Sequence, residues 1–343
     1  MSYLSLGLAI ACAICLAVRA PAPDSSSPAV AADSSAIAFA SKRDGNWEIY
    51  LADPDGRRQT RLTTRDGQER FPLWSPDGTR IAFGSQPRAE VWGWELWVMD
   101  ADGANARRLC SRIVAKSGRD WSPDGSRIAL TALVDGDMEV HVVRVADGTL
   151  TRLTSTPGDD RDPSWSPDGE RIAFSSMRDG NREIYLMHAD GTGLARLTHD
   201  TAADGSPAWS PDGSAIAFVS GRDGGKDVYL VRPDGGGTTR LTVGAGVTND
   251  LSRWSRDGSR LAVQTARGGN YDIEIVDVAS RRRTPLAASP AYDGSVSWSP
   301  DGTRLVFVSG RDGADRLWIA DADGGRPRPL TTTPALSPAG ARR

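Results

Sequence analysis

Short apolar runs separated by turn residues recur along this chain at a nearly fixed distance. In the range 163–198 four such runs follow one another, with the sequences PSWS, RIAFSS, EIYLM and ARLT. Each run is short, rich in β-forming residues and bounded by turn residues, which is typical of strands. The intervening SPDG, RDGN and ADGT segments supply the proline and glycine that tight hairpins need. The range therefore predicts a four-stranded antiparallel meander.

The same unit is repeated through most of the sequence. The motif WSPDG starts at Trp74, Trp121, Trp165, Trp209 and Trp298, and WSRDG starts at Trp254, so the spacings are 47, 44, 44, 45 and 44 residues. A degenerate copy, PAVAADSSAIAF, lies 44 residues before Trp74, around Val30. One meander cannot cover both of its faces, and copies stacked radially form a propeller. We predict an all-β fold, a β-propeller of four-stranded antiparallel blades, with seven blades, or six and an accessory unit as the alternative.

The repeat also predicts the core and the limits of the domain. Apolar residues of each period are expected to fill the space between blades, and in one period these are Ile172, Phe174, Ile184, Tyr185 and Leu197. The repeated tryptophans are expected to pack in the core near the inner strand. The propeller is placed at residues 28–331, followed by a flexible tail at 332–343. For ring closure, residues 28–32 either join the last blade or complete a blade of their own.

The N-terminal segment predicts export. Residues 4–18 form an apolar run that is short for a membrane span and fits the core of a secretory signal, so 1–20 is interpreted as a signal or anchor and 21–27 as a Pro/Ser-rich linker. Acylation of Cys12 is the alternative to signal cleavage. The location is then periplasmic or extracellular. Cys110 is the only cysteine after this segment and is interpreted as a small core residue.

The motif WSPDGxxIAFxSxRDGxxEIYLxxxDGxxxxRLT resembles the WD40-like (PD40) repeats of TolB-type propellers over about residues 28–331. The resemblance implies the propeller fold and a role in the cell envelope, where TolB presents its propeller to a peptidoglycan-associated lipoprotein. Related propellers are fused to serine peptidases or serve as lyases. TolB carries an α/β domain ahead of its propeller, and no room for one is expected here.

Residue types for catalysis are sparse. No GxSxG motif is present, and no hydrolase domain is expected after the blades. The three histidines, His141, His188 and His199, fall toward the blade exteriors and are interpreted as solvated surface residues. A net charge of −3 gives no electrostatic reason to bind nucleic acid or an anionic membrane. These observations favour a protein that is not an enzyme and that has no cofactor, with metal binding left unknown.

Acidic and polar residues recur five positions before each tryptophan, in what we call the leading loops. They are Glu69, Lys116, Asp160, Asp204, Asn249 and Asp293. Propeller geometry is expected to bring them to one mouth of the central channel, near the arginines of the RDG loops. One interpretation is Asp–Arg pairing that ties neighbouring blades together. The other is that uncompensated acids bind a basic peptide or a cation such as Ca²⁺.

Apolar residues mark a second candidate surface. Trp47, Trp94 and Met138 occupy the same place in three consecutive blades, and Trp92 lies beside them in a longer loop. Because other blades carry polar residues at that place, we expect it to face solvent and to serve either as a partner hot spot or as a cover for its own blade.

Two functions are left open. The first is a monomeric, non-enzymatic binding or scaffold propeller that engages an envelope protein or peptide at the channel mouth. The second is a hydrolase or carbohydrate-active enzyme that uses carboxylates there, such as Asp160 and Asp204. The sequence does not name the partner or the process.

Overall fold

The structure is a computed structural model that describes residues 25–31, 36–87, 93–113, 118–247, 253–286 and 289–331. Every regular element in these ranges is a β-strand. The predicted all-β class is confirmed. The predicted signal and C-terminal tail, together with Cys12, Trp92, Lys116 and Asn249, lie outside the described residues.

The strands fall into consecutive groups of four, which we call blades and number in chain order. Blade 1 has β1 (Ser25–Val30), β2 (Ile37–Ser41), β3 (Glu48–Ala52) and β4 (Gln59–Arg61). Blade 2 has β5 (Gln68–Trp74), β6 (Arg80–Gln86), β7 (Trp94–Asp100) and β8 (Arg107–Ile113). Blade 3 has β9 (Arg119–Trp121), β10 (Arg127–Val134), β11 (Asp137–Arg144) and β12 (Leu150–Arg152). Blade 4 has β13 (Asp160–Trp165), β14 (Arg171–Ser176), β15 (Glu183–His188) and β16 (Ala195–Arg196).

The remaining blades follow the same order. Blade 5 has β17 (Asp204–Trp209), β18 (Ile216–Ser220), β19 (Asp227–Val231) and β20 (Thr239–Arg240). Blade 6 has β21 (Arg253–Trp254), β22 (Arg260–Arg267), β23 (Asn270–Asp277) and β24 (Arg283–Pro285). Blade 7 has β25 (Asp293–Trp298), β26 (Arg304–Ser309), β27 (Arg316–Asp321) and β28 (Arg328–Pro329). Each blade pairs its strands antiparallel in chain order, and a single pairing between Ile113 and Ala132 joins blades 2 and 3 into one sheet.

The first strands form the inner ring, because they contact the first strands of neighbouring blades. Most of them carry a bulge three residues before the tryptophan position. The bulge residues Phe71, Asp162, Ser206 and Ser295 have φ of 58°, 55°, 54° and 52°, in the left-handed region. A bulge bends the strand and re-aims the side chains beside it. The side chains beside the bulge therefore leave the regular alternation of the strand at the inner ring.

Apolar clusters fill the space between adjacent blades, as predicted. The cluster around Trp165, Ile172 and Phe174 also contains Val140 and Val142 of the preceding blade. Ring closure uses the same kind of contact. Ile37, Phe39 and Tyr50 of blade 1 pack against Val306, Leu317 and other residues of blade 7.

Of the two predicted closures, the structure has the one in which the N-terminal strand completes its own blade. β1 pairs with β2. It begins at Ser25, within the range predicted as linker, because Ser25 pairs with Ser41 and extends the sheet.

Candidate functional site

A buried carboxylate at or near the start of the third strand fixes the fourth strand to the third in most blades. In four blades it accepts a hydrogen bond from the arginine of the RLT segment at 2.6 to 3.0 Å and another from the RLT threonine. The carboxylates are Glu48, Glu139, Glu183 and Asp227. The same threonine oxygen accepts from the next backbone N–H of the third strand. These side chains have a structural role. From the sequence, the RLT segment is predicted only as a strand, without this role.

The acids of the leading loops are buried, which contradicts the predicted ring of open carboxylates. Glu69, Asp160, Asp204 and Asp293 are each 0% exposed. Three of them pair with the RDG arginine: Arg178 with Asp160 at 3.0 Å, Arg222 with Asp204 at 2.6 Å and Arg311 with Asp293 at 3.0 Å. Acid and arginine belong to the same blade, so the predicted pairing is real but does not tie neighbouring blades together. Burial raises the pKa of Asp204 and of Asp293, against the effect of these hydrogen bonds.

Because Asp160 and Asp204 are buried and neutralised by arginine, they cannot serve as the paired catalytic carboxylates of the enzymatic alternative. They also cannot bind a cation from solvent without losing their arginine. Glu69 differs, because among the described residues no cation pairs with it; Ser85 Oγ donates to its Oε1 at 2.9 Å.

The predicted exposed aromatic cluster is wrong at Trp47. That side chain is 6% exposed, and the Arg70 guanidinium lies 4.3 Å from its ring centroid. Trp94 is half-buried and packs edge-to-face on Phe71 at 5.4 Å. Met138 is also half-buried. Trp47 and Trp94 therefore pack on their own blade and the next one, as in the second interpretation, and do not form the solvent-facing surface of the first.

The histidines are also placed differently from the prediction in one case. His188 and His199 are exposed, but His141 is 4% exposed because β11 carries it into the sheet, and burial lowers its pKa. Cys110 is partly buried against the core of blades 2 and 3, and burial raises the pKa of its thiol to about 12. In the described ranges, no group of three or more His, Cys, Asp or Glu residues is arranged to hold a metal ion.

Charged side chains meet in the channel, where the repeat has small or apolar residues. We call Arg119, Asp120 and Arg253 the channel cluster. Arg119 and Asp120 lie on β9, and Arg253 lies on β21. Arg253 acts electrostatically on both other members, lowering the pKa of Arg119 and opposing the rise in the pKa of Asp120. Arg119 bonds toward blade 2 and Asp120 toward blade 4, so what the cluster shares is the electrostatic effect of Arg253 on both.

The electrostatics of the channel cluster differ from those of a surface ion pair. Burial raises the pKa of Asp120 to about 6, while hydrogen bonds from the Trp165 backbone N–H at 2.8 Å and from Ser164 oppose the rise. Burial lowers the pKa of Arg119 to about 10. Arg119 donates through Nη2 to the Phe71 carbonyl at 2.7 Å, and its buried Nη1 has no partner.

The sequence does contain a signal for this cluster, but it lies in residues that differ from the repeat and not in those that the blades share. The residue directly before the tryptophan is Leu73, Ser164, Ala208 or Ser297 in other blades, but Asp120 and Arg253 in two of them. Arg119 stands where four blades have proline. The candidate site consists of departures from the repeat.

The cluster has the groups that proton transfer next to an anion requires. A carboxylate whose pKa lies near neutrality is a better base than an ordinary aspartate. A buried guanidinium donor without a partner, beside a second arginine, favours an anionic ligand. The arrangement suits an acidic substrate that loses or gains a proton.

Radial four-stranded sheets arranged around an inner ring of first strands define this molecule as a β-propeller protein of the repeat type. A family profile described as the TolB beta propeller domain (PD40) matches residues 86–252 and 245–341. The chain belongs to this family. A comparison with curated protein sequences found no match.

Several solved structures have a fold similar to that of this chain. An oligogalacturonate lyase from Vibrio parahaemolyticus has 17% identity and a TM-score of 0.70, and the match covers 85% of this chain and 88% of the lyase. An oligogalacturonate lyase in complex with manganese gives 17% identity, a TM-score of 0.70 and coverages of 87% and 90%. TolB from Acinetobacter baumannii has 22% identity, a TM-score of 0.57 and coverages of 87% and 76%.

A puromycin-hydrolyzing peptidase from Mycobacterium tuberculosis has 17% identity and a TM-score of 0.71. The match covers 92% of this chain and 54% of the peptidase. This chain therefore corresponds to about half of the peptidase.

The comparisons overturn the prediction of a non-enzymatic scaffold, because chains that share this fold over most of their length include lyases. At these identities the likeness shows the fold alone. Among the described residues, no helix has the length and apolar character needed to cross a membrane.

Proposed function

We propose that the protein is a carbohydrate-active enzyme that acts on an acidic oligosaccharide in the central channel. The observation that carries the proposal is the channel cluster, in which Arg253 acts electrostatically on Asp120, whose pKa is about 6, and on Arg119. The match to oligogalacturonate lyases over 85% of this chain and 88% of one lyase supports it. The substrate class is an oligosaccharide whose sugars carry carboxylates.

Elimination suits this site better than hydrolysis. Hydrolysis of a glycoside ordinarily uses two carboxylates roughly 5–10 Å apart. The channel cluster has a single carboxylate, Asp120, on which Arg253 acts electrostatically. In an elimination, Asp120 removes the proton next to the sugar carboxylate, a C=C bond forms, and the glycosidic C–O bond breaks. The proton returns to the departing oxygen or to water.

The arginines would act on the sugar carboxylate. Removal of the neighbouring proton spreads negative charge onto that carboxylate, and a positioned guanidinium stabilises charge that develops in the transition state. Arg119 Nη1 is a buried donor without a partner, so it can donate to the substrate without losing another contact. A methyl-esterified substrate lacks the full negative charge and should be bound poorly.

One of the similar lyase structures is a complex with manganese. The described residues do not fit such a site, since no three potential ligands converge and the three histidines lie apart, on or after outer strands. No step of the proposed reaction uses a metal. The leading-loop acids that pair with arginine offer no open carboxylate to Ca²⁺ at the channel mouth.

The test uses purified protein with oligogalacturonate, its methyl ester and a neutral oligosaccharide, followed by the ultraviolet absorbance of the unsaturated product. We expect cleavage of the acidic substrate only. Asp120→Asn should lower kcat about 10²- to 10⁴-fold, and kcat/KM of the wild type should rise with pH through about 6. The exposed Asp137→Asn variant is the matched control. Full activity in Asp120→Asn, or no cleavage of any acidic oligosaccharide, would refute the proposal.

We also propose that the protein is exported, which its membership of the TolB propeller family supports. Mass spectrometry of the mature chain distinguishes cleavage of the signal from acylation of Cys12. The predicted envelope partner, the monomeric state and the absence of nucleic-acid binding stay predictions.

A further inference from the structure

Blade 2 departs from other blades at one buried pair. In blades 4, 5 and 7 the leading-loop carboxylate pairs with the arginine that lies two residues after the last serine of the second strand. In blade 2 that serine is Ser85, and Pro87 stands where the arginine would be. Glu69 therefore lacks the guanidinium that its counterparts receive from their own blade.

A cavity of about 340 Å³ lies in front of Glu69. Its buried part contains Gly67, Glu69 and Ser85, and its exposed rim includes Arg65, Asp66 and Pro87. Glu69 Oε1 accepts from Ser85 Oγ at 2.9 Å, whereas Oε2 is buried and has no hydrogen-bond partner. Asp160 and Asp204 also leave one oxygen without a partner, but each holds an arginine on the other oxygen.

The arginines near Glu69 are held by other groups. The Arg65 guanidinium lies 3.7 Å from the ring centroid of Trp97, and that of Arg70 lies 4.3 Å from the ring centroid of Trp47. Arg61 donates to Glu48 at 2.6 Å. Filling the cavity from these side chains would break contacts that already exist.

We propose that this cavity binds a guanidinium group from outside the chain, which donates to Glu69 Oε2 and takes the place of the arginine found in the other blades. A planar guanidinium matches a carboxylate with two parallel donors, and an ammonium group does not. The group is carried either by an arginine side chain of a peptide or by a small free guanidinium compound.

A proton competes with such a ligand. Burial raises the pKa of Glu69 to about 7. The neighbouring Glu48 carboxylate adds to the rise through its negative charge and through a side-chain hydrogen bond that protonated Glu69 makes with it, while Ser85 and Arg65 oppose the rise. Asp66 adds negative charge at the rim. Binding should therefore release a proton and be about tenfold tighter at pH 8 than at pH 6.

The experiment is a calorimetric titration at pH 8 with N-acetyl-arginine methylamide, ethylguanidinium and butylammonium. The two guanidinium probes distinguish a peptide arginine from a free compound, and the third tests discrimination against ammonium. The variants are Glu69→Gln, which removes the charge, and Pro87→Arg, which restores the arginine of the other blades. Val134→Arg is the matched control, because it adds arginine at the same position of blade 3, where Ala132 takes the place of the serine.

We expect at least one guanidinium probe to bind the wild type and the Val134→Arg variant about equally. Glu69→Gln and Pro87→Arg should each weaken binding about tenfold or more. Pro87→Arg should also unfold at a higher temperature, because its own guanidinium fills the site. Absence of binding to the wild type, equal binding of butylammonium, or unchanged binding in Glu69→Gln would each overturn the proposal.

Discussion

At the scale of single residues, Glu69 and Asp120 are the carboxyl groups whose surroundings set them apart. Each is withdrawn from water, and burial is the main cause of the raised pKa in both. The other leading-loop acids are withdrawn as well, but three of them receive an arginine. A buried acid without a directly paired arginine keeps its proton at higher pH.

The pKa of Glu69 makes stability depend on pH. It rises from 4.5 to about 7 on folding, so between these values the folded protein holds a proton that the unfolded chain has released. Stability is therefore greatest below pH 4.5 for this group and falls as the pH rises from 4.5 through 7, by an amount on the order of 3 kcal/mol.

Glu69→Gln should remove this dependence. Urea unfolding from pH 5 to pH 8 measures it as the difference in slope between wild type and variant, which excludes the other titrating groups. Identical slopes in the two proteins would show that Glu69 does not carry the raised pKa.

The positions of the leading-loop acids could be predicted from sequence, but not their burial. The spacing places Asp160, Asp204 and Asp293 correctly beside the RDG arginines, because both loops lie at the same end of the blade. Exposure depends on how closely the next blade packs, and the repeat does not encode that distance. The exposure of Trp47 was predicted wrongly for the same reason. Polar residues at this place in other blades suggested an exposed position, but Trp47 lies under the Arg70 guanidinium.

At the scale of elements, the RLT segment fixes the fourth strand to the third. In blade 4, Thr198 Oγ1 donates to Glu183 Oε2 at 2.6 Å and accepts from the Ile184 N–H at 2.9 Å. Arg196 donates to Glu183 at 3.0 Å. The short strand β16 has few backbone pairings of its own, so these side chains supply most of its attachment.

Replacing Thr198 by valine keeps the shape of the side chain and removes its hydroxyl. The Glu183 carboxylate loses a donor and the Ile184 N–H loses its acceptor, both in a buried place. We expect a loss of about 2–3 kcal/mol in urea unfolding. Thr151→Val, on the exposed face of β12, is the control and should change stability by less than about 0.5 kcal/mol. Equal effects of the two substitutions would contradict the assigned role.

Strand order and hairpins of each blade follow from the sequence because they depend on local turn chemistry. In the SPDG turn of blade 5, Ser210 donates to Asp212 at 2.6 Å and Gly213 has φ of 72°, as the residue types predict. Contacts across the ring are not local. The channel cluster combines β9 with β21, and nothing in either blade alone indicates that the two charges face one another.

At the scale of the whole molecule, the repeated tryptophans link the inner strands of consecutive blades. In four blades the indole N–H donates to the carbonyl of the residue before the tryptophan position of the preceding blade. The pairs are Trp74 with Ala29 at 3.0 Å, Trp121 with Leu73 at 3.3 Å, Trp254 with Ala208 at 3.1 Å and Trp298 with Arg253 at 2.9 Å. Trp165 and Trp209 have buried indole N–H groups without a partner. The repeated tryptophans therefore all pack in the core, but the indole N–H forms the inter-blade hydrogen bond in only four blades.

The chain contains a matched pair that isolates this inter-blade hydrogen bond. Trp298 and Trp209 are 8% and 7% exposed, and an arginine guanidinium lies 5.0 and 5.1 Å from their respective rings. Phenylalanine at either position removes similar packing, but only Trp298→Phe leaves the Arg253 carbonyl without its donor. Trp298→Phe should therefore destabilise the protein by about 1–2 kcal/mol more than Trp209→Phe in urea unfolding. Because each blade is stabilised mainly by its neighbours, the loss should appear as weaker hydrogen-exchange protection in blades 6 and 7. Equal destabilisation by the two substitutions would mean that packing alone holds the ring together.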